Sequence, residues 1–352
     1  MEAVELCKED TVVVDPLLVS ILSTRRADGS VGDTNFRLWL KGWIEEQTGY
    51  KPTIAERGNL ICCTDATSKT LFSCHVDTRH SKEESNGQRQ NLYFDADLGY
   101  IFLDKESKAG CLGADDGVGI WIMLNMIIEK VPGTYIFHTG EECGGLGAYA
   151  CLKSRPEWLE RFDRAVAFDR PNDYEVITVQ GGMKCASDTA GIYLAKELSK
   201  HNLSYEVSDR GVFTDTKVYA HIIPECFNIG VGYYSQHSPD EQLDYNHAKN
   251  LLDACLVLDW EKIPTVREPR AYLQKPAQPT SQVFNGFSTD KYKKPAVSLS
   301  LFDELDSYSL EELVNICEDT PQEAAKIIIR LNSAHKGLKA ELDNVYGQLG
   351  VL

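Results

Sequence analysis

From about residue 33 to residue 261, short continuous apolar runs alternate with stretches of helical periodicity. The segments NLICCTD, KTLFSCHVDT, TYIFHTGEE, RAVAFDR and CFNIGVGY are apolar runs bounded by turn residues and read as buried strands. NFRLWLKGWIEEQTG, DDGVGIWIMLNMIIEKV, SDTAGIYLAKELSKHN and NHAKNLLDACLVLDWEKI read as helices. This rhythm predicts an α/β fold, a three-layer sandwich in which helices cover both faces of a mostly parallel mixed sheet. In such folds ligands gather at the carboxyl ends of the strands.

The pattern changes near Ile263. Residues 263–300 carry Pro264, Pro269, Pro276, Pro279 and Pro295 without periodicity and read as a linker. Residues 301–352 read as a small helical appendage. Ser309-Leu-Glu-Glu312 and Thr320-Pro-Gln-Glu323 are capping boxes, the second with Pro321 at the first helical position. So small a piece is expected to dock on a partner or to oligomerise. Residues 1–262 are left as one domain.

Composition narrows the function classes. A chain of 352 residues with 43% apolar and 25% charged residues is a globular protein with a substantial core. Its net charge of −17, with no basic block, argues against nucleic acid as a partner. The longest apolar run, Ile120 to Ile128, is too short to span a bilayer, and the acidic start of the chain is unlike a signal peptide. Eleven scattered cysteines without a C-x-x-C pair fit free thiols, and the expected location is the cytoplasm.

The polar residues that end the strands carry the chemistry. HVDT gives His75 and Asp77, two apart and so on one side of a strand. GADDGVG gives Asp115 and Asp116 where a loop enters a helix, and TGEECGG gives Glu141 and Glu142. AFDR gives Asp169, and QHSPDE gives His237, with Asp240 and Glu241 close behind. Singly, each has a plain structural reading: His75 as a core histidine, the Asp115–Asp116 pair as a helix cap, the glutamates as a solvated loop. Together, five strand ends converge on imidazole and carboxylate. That donor set suits zinc, with cobalt or manganese as substitutes, and is large enough for two ions sharing a carboxylate. Adjacent acids are then explained, one as ligand and one as base.

These pieces, in this order and preceded by RGNLI, resemble the co-catalytic zinc exopeptidase superfamily, which includes peptidase T, carboxypeptidase G, acetylornithine deacetylase and the zinc aminopeptidases. The resemblance covers roughly residues 33 to 261. It implies that His75 and Asp169 bind one metal, Glu142 and His237 the other, and that Asp115 bridges them. It implies Glu141 as general acid/base, Asp77 as the residue that orients His75, and a structural role for Asp116. The span from Asp169 to His237 is too short for the lid domain found in the deacetylase branch, so a lidless catalytic domain is expected and the lid's histidine has no counterpart. Tyr233 and Tyr234 are candidates for the missing oxyanion donor, with His221 behind them.

Arg170 is a candidate for a substrate carboxylate. GGMKCASDTAG and GVFTDTKVY are expected to edge the pocket, with Lys184, Ser187, Asp188 and Asp215 as polar candidates. The implied activity is hydrolysis of an amide bond in a small peptide by two zinc ions. An N-acyl-amino-acid deacylase, a one-zinc acyl-transfer or cyclising relative, and a non-catalytic scaffold acting through its C-terminal helices are the alternatives.

Overall fold

The computed structural model describes residues 13–269 of the chain. Its helices are α1 (Pro16–Leu22), α2 (Val31–Thr48), α3 (Ala114–Ile128), α4 (Leu146–Ser154), α5 (Pro156–Leu159), α6 (Asp188–Leu198), α7 (Asp215–Tyr219) and α8 (Tyr245–Val257). Its first seven strands are β1 (Thr53–Ile54), β2 (Leu60–Cys63), β3 (Thr70–His75), β4 (Leu92–Asp95), β5 (Tyr100–Leu103), β6 (Thr134–His138) and β7 (Arg164–Arg170). The remaining seven are β8 (Glu175–Ile177), β9 (Val179–Gln180), β10 (Met183–Lys184), β11 (Glu206–Ser208), β12 (Glu225–Gly230), β13 (Tyr233–Tyr234) and β14 (Gln242–Asp244).

Eight strands form the main sheet in the order β1-β2-β6-β3-β7-β12-β8-β11. The joints β6–β3, β3–β7, β7–β12 and β8–β11 are parallel, and the other three are antiparallel. The expected mixed sheet with a parallel centre is what the chain forms. Every residue of β3 and β6 is buried, because helices cover both faces, and this is why these strands read as continuous apolar runs. One large apolar cluster packs α1, α2, α3, α6 and α8 on one face, and a smaller one packs α4, α5 and α7 on the other.

The chain leaves β3 for β6 on one side and later returns to β7 on the other. The carboxyl end of β3 is therefore a point where the strand order reverses, the usual place for a site in open α/β sheets. Helix α3 lies beneath it, buried along almost its whole length. A Cβ on Gly119 would stand 2.6 Å from the carbonyl oxygen of Phe168, so glycine is what lets α3 approach β7 beside Asp169.

A second, antiparallel sheet, β13-β14-β5-β4, was not expected. Its strands are short and only partly buried, so they lack the long apolar runs of the main sheet. It makes the segment around His237 the loop of a β-hairpin.

The fold also runs past the expected boundary at 262. Ile263 and Arg267 are buried, and the Glu225 carboxylate accepts the N–H groups of Val266 and Arg267 at 2.8 and 2.9 Å. The start of the expected linker is thus pinned to the domain. The rest of it, and the helical region 301–352, lie outside the described residues. Among the described residues no helix is long and apolar enough to cross a membrane, and the nine cysteines are unpaired.

Candidate metal centre

His75 is the last residue of β3, and its ring is fixed from both sides. Nδ1 donates to the carbonyl oxygen of Asp77 at 2.9 Å, which in the neutral ring leaves the lone pair on Nε2. That lone pair faces Asp115 Oδ1 at 3.0 Å and Asp169 Oδ1 at 3.4 Å. The other oxygen of Asp115 lies 3.1 Å from His237 Nε2, which also stands 2.9 Å from Glu142 Oε1. The structure thus brings together His75, Asp115, Asp169, Glu142 and His237 in the expected pairs, with the Asp115 carboxylate between two imidazoles.

The surrounding residues account for this geometry. Asp169 is the penultimate residue of β7, where Asn228 of β12 accepts its N–H and donates to its carbonyl. The Thr214 hydroxyl donates to Asp169 Oδ2 at 2.6 Å, and the Tyr233 hydroxyl donates to Oδ1 at 3.3 Å. At the entrance to α3 the buried Glu241 carboxylate accepts the N–H groups of Gly113 and Asp115, both at 2.9 Å. Beneath, the fully buried Arg26 guanidinium donates to the carbonyls of Ile21, Thr24, Val76 and Gly113, tying α1 to the loops that carry His75 and Asp115.

Asp77 acts differently from the expectation. It orients His75 through its backbone carbonyl, while its Oδ1 is 3.8 Å from Nδ1. The carboxylate instead accepts the N–H groups of Glu141 and Glu142, at 3.2 and 3.1 Å. It therefore fastens the two-acid turn to the end of β3. Asp116 has ligand atoms close to His75 and Asp169, but its two oxygens accept the N–H groups of His75 and Gly119 at 3.0 and 3.1 Å. Both oxygens are used in holding the backbone, so Asp115 is the better placed donor.

Electrostatics tests whether a cation fits. Burial raises the pKa of Asp169, Glu141 and Glu142, and neighbouring carboxylates raise them further. Burial alone would depress His75, yet Asp169 and Asp115 push it well above the usual imidazole value. Asp115 and Glu142 raise His237 to about 10. Protons are being drawn to the spaces between these groups because each space is strongly negative. Glu142 Oε1 is buried and lies 2.9 Å from His237 without hydrogen-bond geometry, so the two atoms are not turned towards each other. Two imidazole nitrogens and three carboxylates that converge with more negative charge than the imidazoles offset fit divalent cations bound by nitrogen and oxygen.

His237 differs from the other ligand candidates. Its side chain is 43% exposed, and its backbone φ is +62°, in the left-handed region that costs a residue with a Cβ about 1–2 kcal/mol. Ser235, two residues earlier, also has a positive φ. The hairpin loop thus holds a strained backbone while presenting the imidazole to Glu142.

The remaining candidates fall in several places. Arg170 is bound by the buried Glu175 carboxylate at 2.6 Å, and Lys184 pairs with Asp188, so both charges are already neutralised. Ser187 caps α6. Tyr234 stands beside Asp173, away from the Asp169 carboxylate that its neighbour Tyr233 meets. Asp215 is buried, with Oδ2 3.2 Å from His138 Nδ1. Sequence reasoning missed Thr214, Asn228, Glu241 in its capping role, and Arg79, whose guanidinium donates to the Glu142 carbonyl at 3.1 Å.

No protein-family model matches the chain, and no curated protein matches it in sequence. Solved structures do. The aminopeptidase PepT from Bacillus cereus superposes with a TM-score of 0.54 at 15% identity, over 68% of this chain and 96% of that one. The TET1 peptidase of Pyrococcus horikoshii, which can assemble into a tetrahedron or a large octahedral shell, gives 0.51 at 14% identity, over 69% of this chain and 98% of that one. The LapA aminopeptidase of Legionella pneumophila gives 0.51 at 16% identity, over 72% of this chain and 71% of that one. The chain has the fold of these peptidases. The resemblance seen in the motifs is thereby borne out at the level of the fold.

Proposed function

We propose that this chain is a metal-dependent hydrolase of amide bonds, an exopeptidase of the aminopeptidase type acting on short peptides with two zinc ions. The observation that carries the reading is the Asp115 carboxylate, one oxygen 3.0 Å from His75 Nε2 and the other 3.1 Å from His237 Nε2. His75, Asp169 and Asp115 would hold one ion, and Asp115, Glu142 and His237 the other. Bound there, such ions supply Lewis acidity and a nucleophile at neutral pH.

The protein supplies the rest. Glu141 sits beside this centre, and its carboxylate makes no hydrogen bond among the described residues, so it is available to take a proton and pass it to the leaving nitrogen. Burial and the carboxylates around it, Asp169 first, hold its pKa well above the ordinary value, which suits a group that must both accept and release a proton. Asp77 keeps that carboxylate in register with His75 by binding the backbone of the turn. The Tyr233 hydroxyl, on Asp169, is the nearest candidate to steady negative charge on the substrate oxygen.

A deacylase would use the same groups; the names of the structural neighbours favour peptides. A scaffold with a structural metal would need the ligands but not Glu141. The test is Glu141→Gln in the full chain. Turnover of small peptides should fall roughly 10²- to 10⁴-fold while bound zinc stays the same. Unchanged turnover would remove the mechanism, and zinc absent from wild-type protein would remove the site.

A further inference from the structure

The segment Gly211 to Lys217 connects the metal centre to a second polar cluster. At Thr214 it binds Asp169. At Gly211 its carbonyl accepts the N–H of Gly181, and the residue bridges Gln180 in parallel fashion. Three residues of extended chain cover at most about 11 Å, so the cluster lies that close to Thr214. Between these ends, the Phe213 ring sits against Gly145, in the turn that follows Glu141 and Glu142.

Two groups in this cluster lack polar partners among the described residues. Gln180 is 1% exposed, and neither atom of its side-chain amide has a hydrogen-bond partner. Buried amides are seldom left so. Lys217 is half-buried, and its ammonium makes neither an ion pair nor a hydrogen bond among the described residues; it lies 5.7 Å from the centre of the Phe213 ring. The two are joined through Gly181, where φ is +53° and a Cβ would stand 2.6 Å from Lys217 Nζ. The nearby cations are engaged elsewhere: Lys184 by Asp188, Arg170 and Arg210 by Glu175, Arg57 by Asp28.

A half-buried ammonium against Gly181, next in the chain to a residue with an unpaired buried amide, is a receptor for a carboxylate. We propose that Lys217 and Gln180 bind the C-terminal carboxylate of a short peptide whose scissile bond lies at the Asp115 centre. This rests on the exopeptidase reading above. Two extended residues beyond the scissile bond reach about 7 Å and three about 10 Å, so tripeptides and tetrapeptides fit the span.

The test compares Ala-Ala-Ala with its C-terminal amide. Affinities are measured by calorimetry on the zinc-loaded, full-length Glu141→Gln protein, where binding is read without turnover. The free acid should bind about tenfold more tightly than the amide. Lys217→Met should abolish that difference, while Lys196→Gln on the exposed face of α6 should leave it intact.

Gln180→Leu should lose much of the preference for the acid yet raise Tm, because it removes a buried amide that the free protein leaves unpaired. A Gln180 with a merely structural role would lower Tm on replacement and leave the preference intact. Equal affinity for acid and amide, a preference that survives Lys217→Met, or no binding of either peptide would overturn the proposal. Failure of the two readings separates cleanly. Wild-type hydrolysis of acid and amide at equal rates would sink this proposal and keep the peptidase. A Lys217-dependent acid preference without any turnover would do the reverse.

Discussion

His75 and His138 stand opposite each other in register on the adjacent parallel strands β3 and β6. Both are fully buried, and both end an apolar run. Their surroundings give them opposite characters. His75 has one nitrogen tied to a carbonyl and the other facing Asp115 and Asp169, whose charge outweighs burial and lifts its pKa. His138 Nε2 meets the Tyr219 hydroxyl at 2.6 Å, and its Nδ1 lies 3.2 Å from both Ser73 Oγ and Asp215 Oδ2. Burial drives His138 down to about 3, and the same burial pushes Asp215 up. A strand end delivers a histidine to the interior; the groups around it decide whether it faces carboxylates as a candidate ligand or joins the core.

The largest test of this contrast replaces each imidazole in turn. On the proposed two-zinc reading, His75→Ala should remove about one of the two ions and lower kcat/KM on a small peptide by roughly a thousandfold, the scale of several kcal/mol of lost Lewis-acid stabilisation. His138→Gln should keep both ions and stay within a few-fold of wild-type kcat, while the fold loses stability. Metal analysis and peptide turnover on the two proteins check this. Equal loss of zinc from both variants would erase the distinction.

Acid sharpens the same comparison. A free histidine titrates near 6.5, whereas folded His138 titrates at about 3, so between those values the unfolded chain holds a proton that the folded one does not. The contribution is complete above pH 6.5 and declines as pH falls towards 3. Over the drop from pH 6.5 to 4 it amounts to about 3 kcal/mol. His80, which burial lowers to about 4, adds a term of the same sign. Urea unfolding of zinc-free protein between pH 4 and 7 should therefore show a slope about one proton steeper in wild type than in His138→Gln. Parallel slopes would mean that His138 binds protons alike in the folded and unfolded chain.

Much of the fold was legible because its centre is parallel and covered on both faces. β2, β3, β6, β7 and β12 are apolar runs with sharp ends, and those ends carry His75, Glu141, Glu142 and Asp169. The second sheet was not, since its short, half-exposed strands offer neither a long run nor a clean alternation, so the hairpin that lifts His237 read only as the end of a strand. The spacing of His75 and Asp77 told that they share a side, but not that the carbonyl and not the carboxylate would meet the ring. Thr214 and Glu241 act on residues far away in the chain, where no local pattern points. Lys184 is the opposite case: Asp188 stands only four residues on, at the start of α6, and an opposite charge so near in the chain was an available signal.

The smallest effects come from the tyrosines attached to each histidine's surroundings. Tyr219 bonds His138 itself, and Tyr233 bonds Asp169, the carboxylate beside His75. Tyr219→Phe leaves a buried imidazole nitrogen unpaired and should cost about 1–3 kcal/mol of stability with kcat unchanged. Tyr233→Phe removes a longer bond, 3.3 Å, to a carboxylate that keeps Thr214, so the fold should lose no more than about 1 kcal/mol. Its effect belongs to turnover instead, a fall of a few-fold if the hydroxyl only tunes Asp169 and nearer a hundredfold if it also steadies the substrate oxygen. Thermal unfolding and kcat measured on the same two proteins separate the cases. A Tyr233→Phe protein that loses stability but no activity would place Tyr233 with the core, on the His138 side of the comparison.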